Sequence, residues 1–472
     1  MLVPQHFKGR NVAVVGLARS GVAAARALEK GGARVRAWDD SPARRQAAYQ
    51  AGIGVVDLYR QNWRDIAALV LSPGIPLTHP APHPLVTLAN DNQVPVIGDI
   101  ELFARALGER PRTAIVAVTG TNGKSTTASL IAHVLGESGH AVALGGNIGA
   151  PALDLPALAA GGVYVLEMSS YQIDLTENLN PQIAILLNLA PDHLDRHGGM
   201  AGYVAAKERL FGLQRGPDSL AIIGIDDAQS RALYERLRQK TGLRVLPVTT
   251  AQPQEAAVAV VDGVVYDGSD GPPRQCGDIG AIETLRGRHN AQNAAAAFAA
   301  TRALGVSATD IIAAFASFPG LAHRLEIVGQ IGAVRFVNDS KATNAEATAN
   351  ALAAFDNIYW IAGGRPKADG IATLAPLFER LRRAYLIGEA ASLFSPTLDG
   401  KVPYRIAGDL ASAVEQAAAD AAADGGGTVL LSPACASFDQ FSDFEARGEA
   451  FRRRVAAMMD KNRATGRLDG AA

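Results

Sequence analysis

Short apolar runs that end in glycine, acid or amide residues recur along the whole chain, and most of the gaps between them carry apolar positions at helical spacing. The first run, residues 11–16 (NVAVVG), predicts a buried strand. An amphipathic helix to about Lys30 follows, then a strand over 34–38 that ends in Asp39-Asp40. A strand over 67–71 runs into Ser72-Pro73-Gly74-Ile75-Pro76, where two prolines around a glycine set a tight loop. The pattern resumes with strands over 113–118, 163–166 and 183–188 and a helical run over 128–135. Residues 245–284 read as less regular and turn-rich, and a long alanine-rich helix follows Asn293. Strands over 325–328, 334–337, 358–362, 385–388 and 429–431 complete the series, and the polar tail after about Met459 is expected to fray. Strand alternating with helix predicts an α/β protein with mostly parallel sheets and ligand residues at the carboxyl ends of the strands. Breaks near residues 108–112 and at Phe318-Pro319-Gly320-Leu321 divide the chain into three expected domains, 1–105, 106–320 and 321–472.

Composition narrows the class. At about 150 residues per domain, a chain of 472 residues agrees with three domains, and 48% hydrophobic residues suffice for several cores. A net charge of −1 gives no electrostatic case for a nucleic acid or an anionic membrane as partner. Two cysteines, Cys276 and Cys435, imply no disulfide framework, no N-terminal stretch has the form of a signal peptide, and no window of about 18 residues is apolar enough to span a bilayer. A cytoplasmic protein is expected.

The densest chemistry lies at residues 117–127 (AVTGTNGKSTT), between a predicted strand and a predicted helix. This is the layout of a phosphate-binding loop, with Val118 where the usual pattern has its first glycine. Gly120 and Gly123 allow the backbone amides to turn toward phosphate oxygens, Lys124 can neutralise the outer phosphates, and the Ser125 or Thr126 hydroxyl can hold Mg²⁺. Glu167 follows the strand over 163–166, the usual place for a carboxylate that holds the metal. In the first domain, Gly16-Leu17-Ala18-Arg19-Ser20-Gly21 with Asp39 beyond it is a βαβ turn suited to a dinucleotide or a nucleotide diphosphate, or to no ligand at all. Asp192, His193, Asp195 and His197 crowd one segment and can ligate a metal, transfer protons or simply face water. Tyr203 and Lys207 share a helix face, Asn290 and Asn293 another, and further polar clusters follow the last strands at 338–344, 363–367 and 432–441.

Together these residues resemble the Mur ligases of peptidoglycan synthesis over essentially the whole chain. Family-level marks are residues 119–126 (TGTNGKST), Glu167, His193, Lys207 and Gly287-Arg288-His289-Asn290. The segments 72–76 (SPGIP), 169–172 (SSYQ), 338–344 (NDSKATN) and 431–441 (LSPACASFDQF) are similar to the branch that adds D-glutamate to UDP-N-acetylmuramoyl-L-alanine. The resemblance implies a Rossmann-like N-terminal domain for the UDP-sugar, a central phosphate-loop ATPase domain and a Rossmann-like C-terminal domain for the amino acid. It implies UDP-sugar contacts from Arg19, Ser20, Asp39, Asp40, Ser41, Gly74, Asn147 and His193. It implies ATP contacts from Gly120, Thr121, Asn122, Gly123, Lys124, Ser125, Thr126, Asn290, Asn293, Arg324 and Asp339. Two Mg²⁺ ions would be held by Ser125, Glu167, His193 and a CO₂-derived carbamate on Lys207. Lys341, Thr343, Lys367, Ser437 and Phe444 would surround D-glutamate, and the family leads to a monomer.

A carboxylate is a poor electrophile, so amide formation with it needs activation, which ATP supplies through an acyl phosphate. The amine then attacks and phosphate leaves. Lys124, His193 and Lys207 are the expected catalytic residues, with His193 on the metal or accepting the amine proton, and residues 320–322 are the expected hinge. Competing readings are a folate-type amide ligase or a Mur ligase adding a different amino acid, a nicotinamide-dependent dehydrogenase using Gly16–Gly21 and Asp39, and a nucleotide-driven switch with no ligase chemistry.

Overall fold

A computed structural model describes residues 1–108, 113–366 and 370–468. Most of the break expected at 108–112 therefore lies outside the described residues. Nineteen strands, numbered in chain order, form three sheets among the described residues.

The first sheet holds β1 (Asn11–Val15), β2 (Arg34–Trp38), β3 (Ile66–Leu71) and β4 (Val96–Ile97), in the order β2-β1-β3-β4, all parallel. The second holds β5 (Ala114–Thr119), β6 (Val142–Gly146), β7 (Val163–Glu167), β8 (Ile183–Leu186), β9 (Leu220–Gly224), β10 (Arg244–Thr249), β11 (Val258–Val261), β12 (Val264–Asp267) and β13 (Arg274–Asp278). Its order is β13-β12-β11-β10-β9-β8-β5-β7-β6, parallel except at β11-β12-β13. The third holds β14 (Glu326–Ile331), β15 (Val334–Asn338), β16 (Ile358–Gly363), β17 (Leu381–Ile387), β18 (Tyr404–Gly408) and β19 (Gly427–Leu431), in the order β14-β15-β19-β16-β17-β18, with only β14 antiparallel.

The chain packs as two compact units. One comprises Met1–Ile282 with Asn290–Phe318 and contains the first two sheets. The other comprises Glu283–His289 and the chain from Pro319 onward, and contains the third. In the third sheet, alternation sends Ile358, Trp360 and Ala362 into one apolar cluster and Tyr359 and Ile361 into another. Both faces are thus covered, as a parallel sheet requires. No helix among the described residues is long and apolar enough to cross a membrane.

Two expectations need correction. The segment 245–284 contains four strands, and β11 and β12 form a hairpin across Asp262-Gly263, both at positive φ (49° and 83°). Asp-Gly between two apolar runs is a strong hairpin signal that the impression of irregularity overrode. The polar tail does not end the helix at Met459: one helix spans Phe444–Leu468, anchored by buried Phe451 and Val455.

Candidate active site

β5 lies between β7 and β8, so the segments that follow these three strands meet at one end of the second sheet. Between β5 and the helix Lys124–Glu137, Gly120 (φ 148°) and Gly123 (φ 83°) take conformations open to glycine. A Cβ on Gly123 would fall 2.1 Å from Asn293 Oδ1. Asn293 is itself pinned, accepting from Thr127 Oγ1 at 3.2 Å and donating to Asn290 Oδ1 at 3.0 Å. Both predicted asparagines thus lie buried, with Asn293 against the loop. The other side is held by Asn188, whose Oδ1 accepts from the Asn122 amide at 2.8 Å while its Nδ2 donates to Gln292. Asn188 follows β8 and was not singled out in the sequence. Lys124 Nζ donates to the Gly120 and Thr121 carbonyls at 3.0 and 2.7 Å, Ser125 is buried beside it, and Thr126 is half-buried.

Glu167, 2% exposed, closes β7. Its Oε1 accepts from Asn147 Nδ2 at 2.6 Å, and its Oε2 is buried with no hydrogen-bond partner. A buried carboxyl oxygen without a donor is costly unless a cation answers it, so Glu167 suits Mg²⁺. No group of three or more His, Cys, Asp or Glu side chains that could hold a metal occurs among the described residues. An ion at Glu167 would therefore complete its shell with hydroxyl, water, carbamate or phosphate oxygens.

Lys207, on the helix Met200–Gly212, is 1% exposed. Its Nζ donates to the Gly120 carbonyl at 2.9 Å and to Thr119 Oγ1 at 3.2 Å, and lies 4.7 Å from the Tyr203 ring centre. The Tyr203 hydroxyl lies 3.1 Å from Thr121 Oγ1. Burial drives the Lys207 pKa well below its ordinary value, and the Lys124 charge lowers it further. A lysine in a helix would ordinarily be a solvated surface residue, whereas this one lies under the loop. His193 stands at φ 53° with about half its side chain exposed, Nε2 3.4 Å from Asp192 and its ring 5.2 Å from that of Tyr171. His197 is the buried histidine of the segment: it stacks on Tyr171, its Nε2 lies 2.9 Å from Ser170 Oγ, and burial lowers its pKa to about 4.

The first sheet repeats the layout, with Gly16, Asp39 and Ser72 following the adjacent strands β1, β2 and β3. Gly16 (φ 90°) leaves no room for a Cβ beside Ser72, whose Oγ donates to the Gly16 carbonyl at 2.7 Å. Each Asp39 oxygen already accepts an amide, Leu17 at 2.7 Å and Ser41 at 2.8 Å, so this acid ties the turn together. Ser41 caps the helix Pro42–Gln50, and Asp40 pairs with His83 at 2.9 Å, which lowers its pKa. A cavity of about 210 Å³ opens between Arg19, Ser20, Pro73, Asn147 and Gln172, with the Arg19 guanidinium on the Gly149 carbonyl across it. Arg196 Nη1 donates to the Gly74 carbonyl at 3.0 Å.

In the second unit the segments after β15, β19 and β16, again three neighbouring strands, carry the remaining residues. Asp339 is buried, its carboxylate accepting from Ser432 Oγ at 2.8 Å and the Leu325 amide at 3.2 Å, and burial raises its pKa to about 7. Arg324 is half-buried, one residue after the buried His323. Lys341 Nζ lies 3.9 Å above the Phe444 ring, Thr343 bonds back to the Lys341 carbonyl, and Ser437 is buried. Lys367 lies outside the described residues.

Comparison with known proteins gives the family. Residues 118–301 match the model of the Mur ligase middle domain, and 323–435 that of the Mur ligase glutamate ligase domain. The chain belongs to the Mur ligase family. The UDP-N-acetylmuramoylalanine--D-glutamate ligase of Caulobacter vibrioides is 52% identical over 459 residues, covering 96% of this chain and 97% of that one. The Phenylobacterium zucineum enzyme of the same name is 50% identical over 464 residues, covering 98% and 99%. Among solved structures, the UDP-N-acetylmuramate-alanine ligase of Thermotoga maritima shares the fold at a TM-score of 0.59 and 18% identity, covering 95% of this chain and 99% of its own.

Proposed function

We propose that this protein is an ATP-dependent ligase that joins D-glutamate to UDP-N-acetylmuramoyl-L-alanine, in the cytoplasmic synthesis of the peptidoglycan precursor, and that it acts as a monomer. The reading is carried by one observation: Thr119–Ser125, Glu167 and Lys207, distant in sequence, converge at one end of the second sheet, in a chain half identical to D-glutamate ligases along its length.

Residues 1–105 bind the UDP-sugar, 106–320 the ATP and 321–472 the amino acid. The amides of Gly120–Ser125 and the Lys124 ammonium hold the outer phosphates, at the positive end of the helix they open. The substrate carboxylate attacks the γ-phosphorus, the bond to ADP breaks, and an acyl phosphate forms. The D-glutamate amine adds to the acyl carbon, loses a proton, and the tetrahedral centre expels phosphate. Ser125 and Glu167, with His193 and a carbamate on Lys207, would hold Mg²⁺, which when bound neutralises the charge gathered on the phosphates. With its pKa lowered, the Lys207 amine is suited to that modification: the lone pair of its unprotonated form adds to the carbon of CO₂, a proton leaves the nitrogen, and the side chain becomes an anion. The cavity at Arg19, Ser20 and Asn147, with Asp39, Asp40, Ser41 and Gly74 at its turn, suits a nucleotide diphosphate. Asn290, Asn293, Arg324 and Asp339 are assigned to ATP. Lys341, Thr343, Ser437 and Phe444, with Lys367 assigned from the sequence alone, give a dicarboxylate a cationic pocket.

The test is mass spectrometry of products from ATP, Mg²⁺ and UDP-N-acetylmuramoyl-L-alanine with D- or L-glutamate in separate reactions. A glutamyl adduct with stoichiometric ADP from the D isomer alone is expected. An adduct from the L isomer alone overturns the chirality of the pocket, and ATP consumed without any adduct overturns the ligase.

A further inference from the structure

Arg447 is a charged side chain that neither the sequence motifs nor the proposed mechanism uses, yet it is among the most completely buried in the molecule, at 1% exposed. It lies in the first turns of the helix Phe444–Leu468. Its Nε donates to Ser340 Oγ at 2.9 Å. Its Nη2 donates to the Ser340 carbonyl at 2.8 Å and to the Cys435 carbonyl at 3.0 Å. Its Nη1 is buried with no hydrogen-bond partner, and the Cβ that Gly364 lacks would sit 3.1 Å from it. One guanidinium thus bonds the segments after β15 and β19 and lies beside Gly364, which follows β16. Ser340 Oγ in turn donates to the Phe444 carbonyl at 2.9 Å, and the Arg365 amide to the Ala436 carbonyl at 2.9 Å, so the three segments and the helix start form one hydrogen-bonded knot.

The residues around the knot are those given to D-glutamate above. Lys341 follows Ser340 directly, Ser437 lies two residues after Cys435, and Phe444 one turn before Arg447. We propose that Arg447 is a positioning residue for the amino-acid pocket: its planar fork fixes the backbone of Ser340 and Cys435 and thereby sets where Lys341, Ser437 and Phe444 present their side chains. The inference rests on the ligase reading above. An ammonium cannot reproduce it, because a lysine offers a single point of donation where the fork reaches two segments in one plane.

The test uses the full-length enzyme and three variants, Arg447→Lys, Arg447→Ala and the milder Ser340→Ala, which keeps Arg447 but removes the hydroxyl that joins it to the Phe444 carbonyl. KM is measured separately for D-glutamate and for UDP-N-acetylmuramoyl-L-alanine. Expected are a rise in KM for D-glutamate of about tenfold in Arg447→Lys and about threefold in Ser340→Ala, with KM for the UDP-sugar within about twofold of the parent. Guanidinium ion at tens of millimolar should restore part of the D-glutamate affinity to Arg447→Ala and none to Arg447→Lys. Parallel change in both KM values, or a kcat loss in Ser340→Ala with unchanged KM for D-glutamate, overturns the proposal. If Arg447→Ala does not fold, Ser340→Ala still decides. Failure of the parent enzyme to form the D-glutamyl product would instead count against the ligase reading.

Discussion

Lys207 and Arg447 are both basic side chains at the same burial, and their surroundings act on them in opposite ways. Lys207 has one carbonyl and one hydroxyl within reach, a second cation, Lys124, lowering its pKa, and burial that drives its amine toward the neutral form. A lysine can answer an unfavourable interior by giving up its proton, and a neutral amine is a nucleophile. Arg447 is also shifted by burial, to about 10, which leaves it protonated at neutral pH. A guanidinium that keeps its charge must be satisfied by oxygen, and the Ser340 and Cys435 carbonyls supply it. Desolvation can make an amine reactive, whereas it obliges a guanidinium that stays charged to be held by oxygens.

The sharpest way to break this contrast is to exchange the chemistries. Lys207→Arg supplies a basic group that cannot become neutral, so turnover should fall on the order of 10³-fold, as far as for Lys207→Ala. An arginine variant that retains activity would remove the neutral amine from the account. Next comes Glu167→Gln, which replaces the bare carboxylate oxygen by an amide. Turnover should drop about 10²-fold and half-saturation by Mg²⁺ should move to higher concentration, whereas equal Mg²⁺ dependence would mean that the oxygen faces no ion. Arg19→Ala should raise KM for the UDP-sugar about fivefold with little change in kcat, since the cavity loses one polar wall but no reacting group.

The smallest effect concerns Asp339. Its folded-state pKa, about 7, lies above the ordinary 3.8. Between those values the folded protein holds a proton that the unfolded chain has released. Its contribution to stability is therefore present at low pH and is lost as pH rises toward 7. Relative to Asp339→Asn, the parent should gain about 2–4 °C in melting temperature as pH is lowered from 7 to 5. A constant difference across that range would show that Asp339 is ionised throughout. His197 and His289, both lowered to about 4 by burial, work in the opposite direction in both proteins and cancel in the comparison.

What was legible in the sequence follows the same division. The strands, the phosphate loop and Glu167 are local signals: apolar runs of the right length, glycines that a turn demands, an acid at a strand's end. Lys207 was legible only through resemblance, because nothing in a helix of alternating character marks one lysine as buried. Asn188 and Arg447 were missed because their roles depend on which strands become neighbours, β8 beside β5 and β15 beside β19, and that order is set by crossover connections and not by local pattern. The hairpin at Asp262-Gly263 is a different case, a plain local signal outweighed by the polar stretch around it.

The central claim, that the buried amine of Lys207 is neutral and takes up CO₂, has a direct measurement. The parent and Lys207→Ala proteins are equilibrated with ¹³C-labelled bicarbonate and their ¹³C NMR spectra compared. A carbamate resonance in the parent, absent from the variant and strengthened by ATP and Mg²⁺, is the result the account predicts. Identical spectra from a parent preparation that is turning over substrate would contradict it.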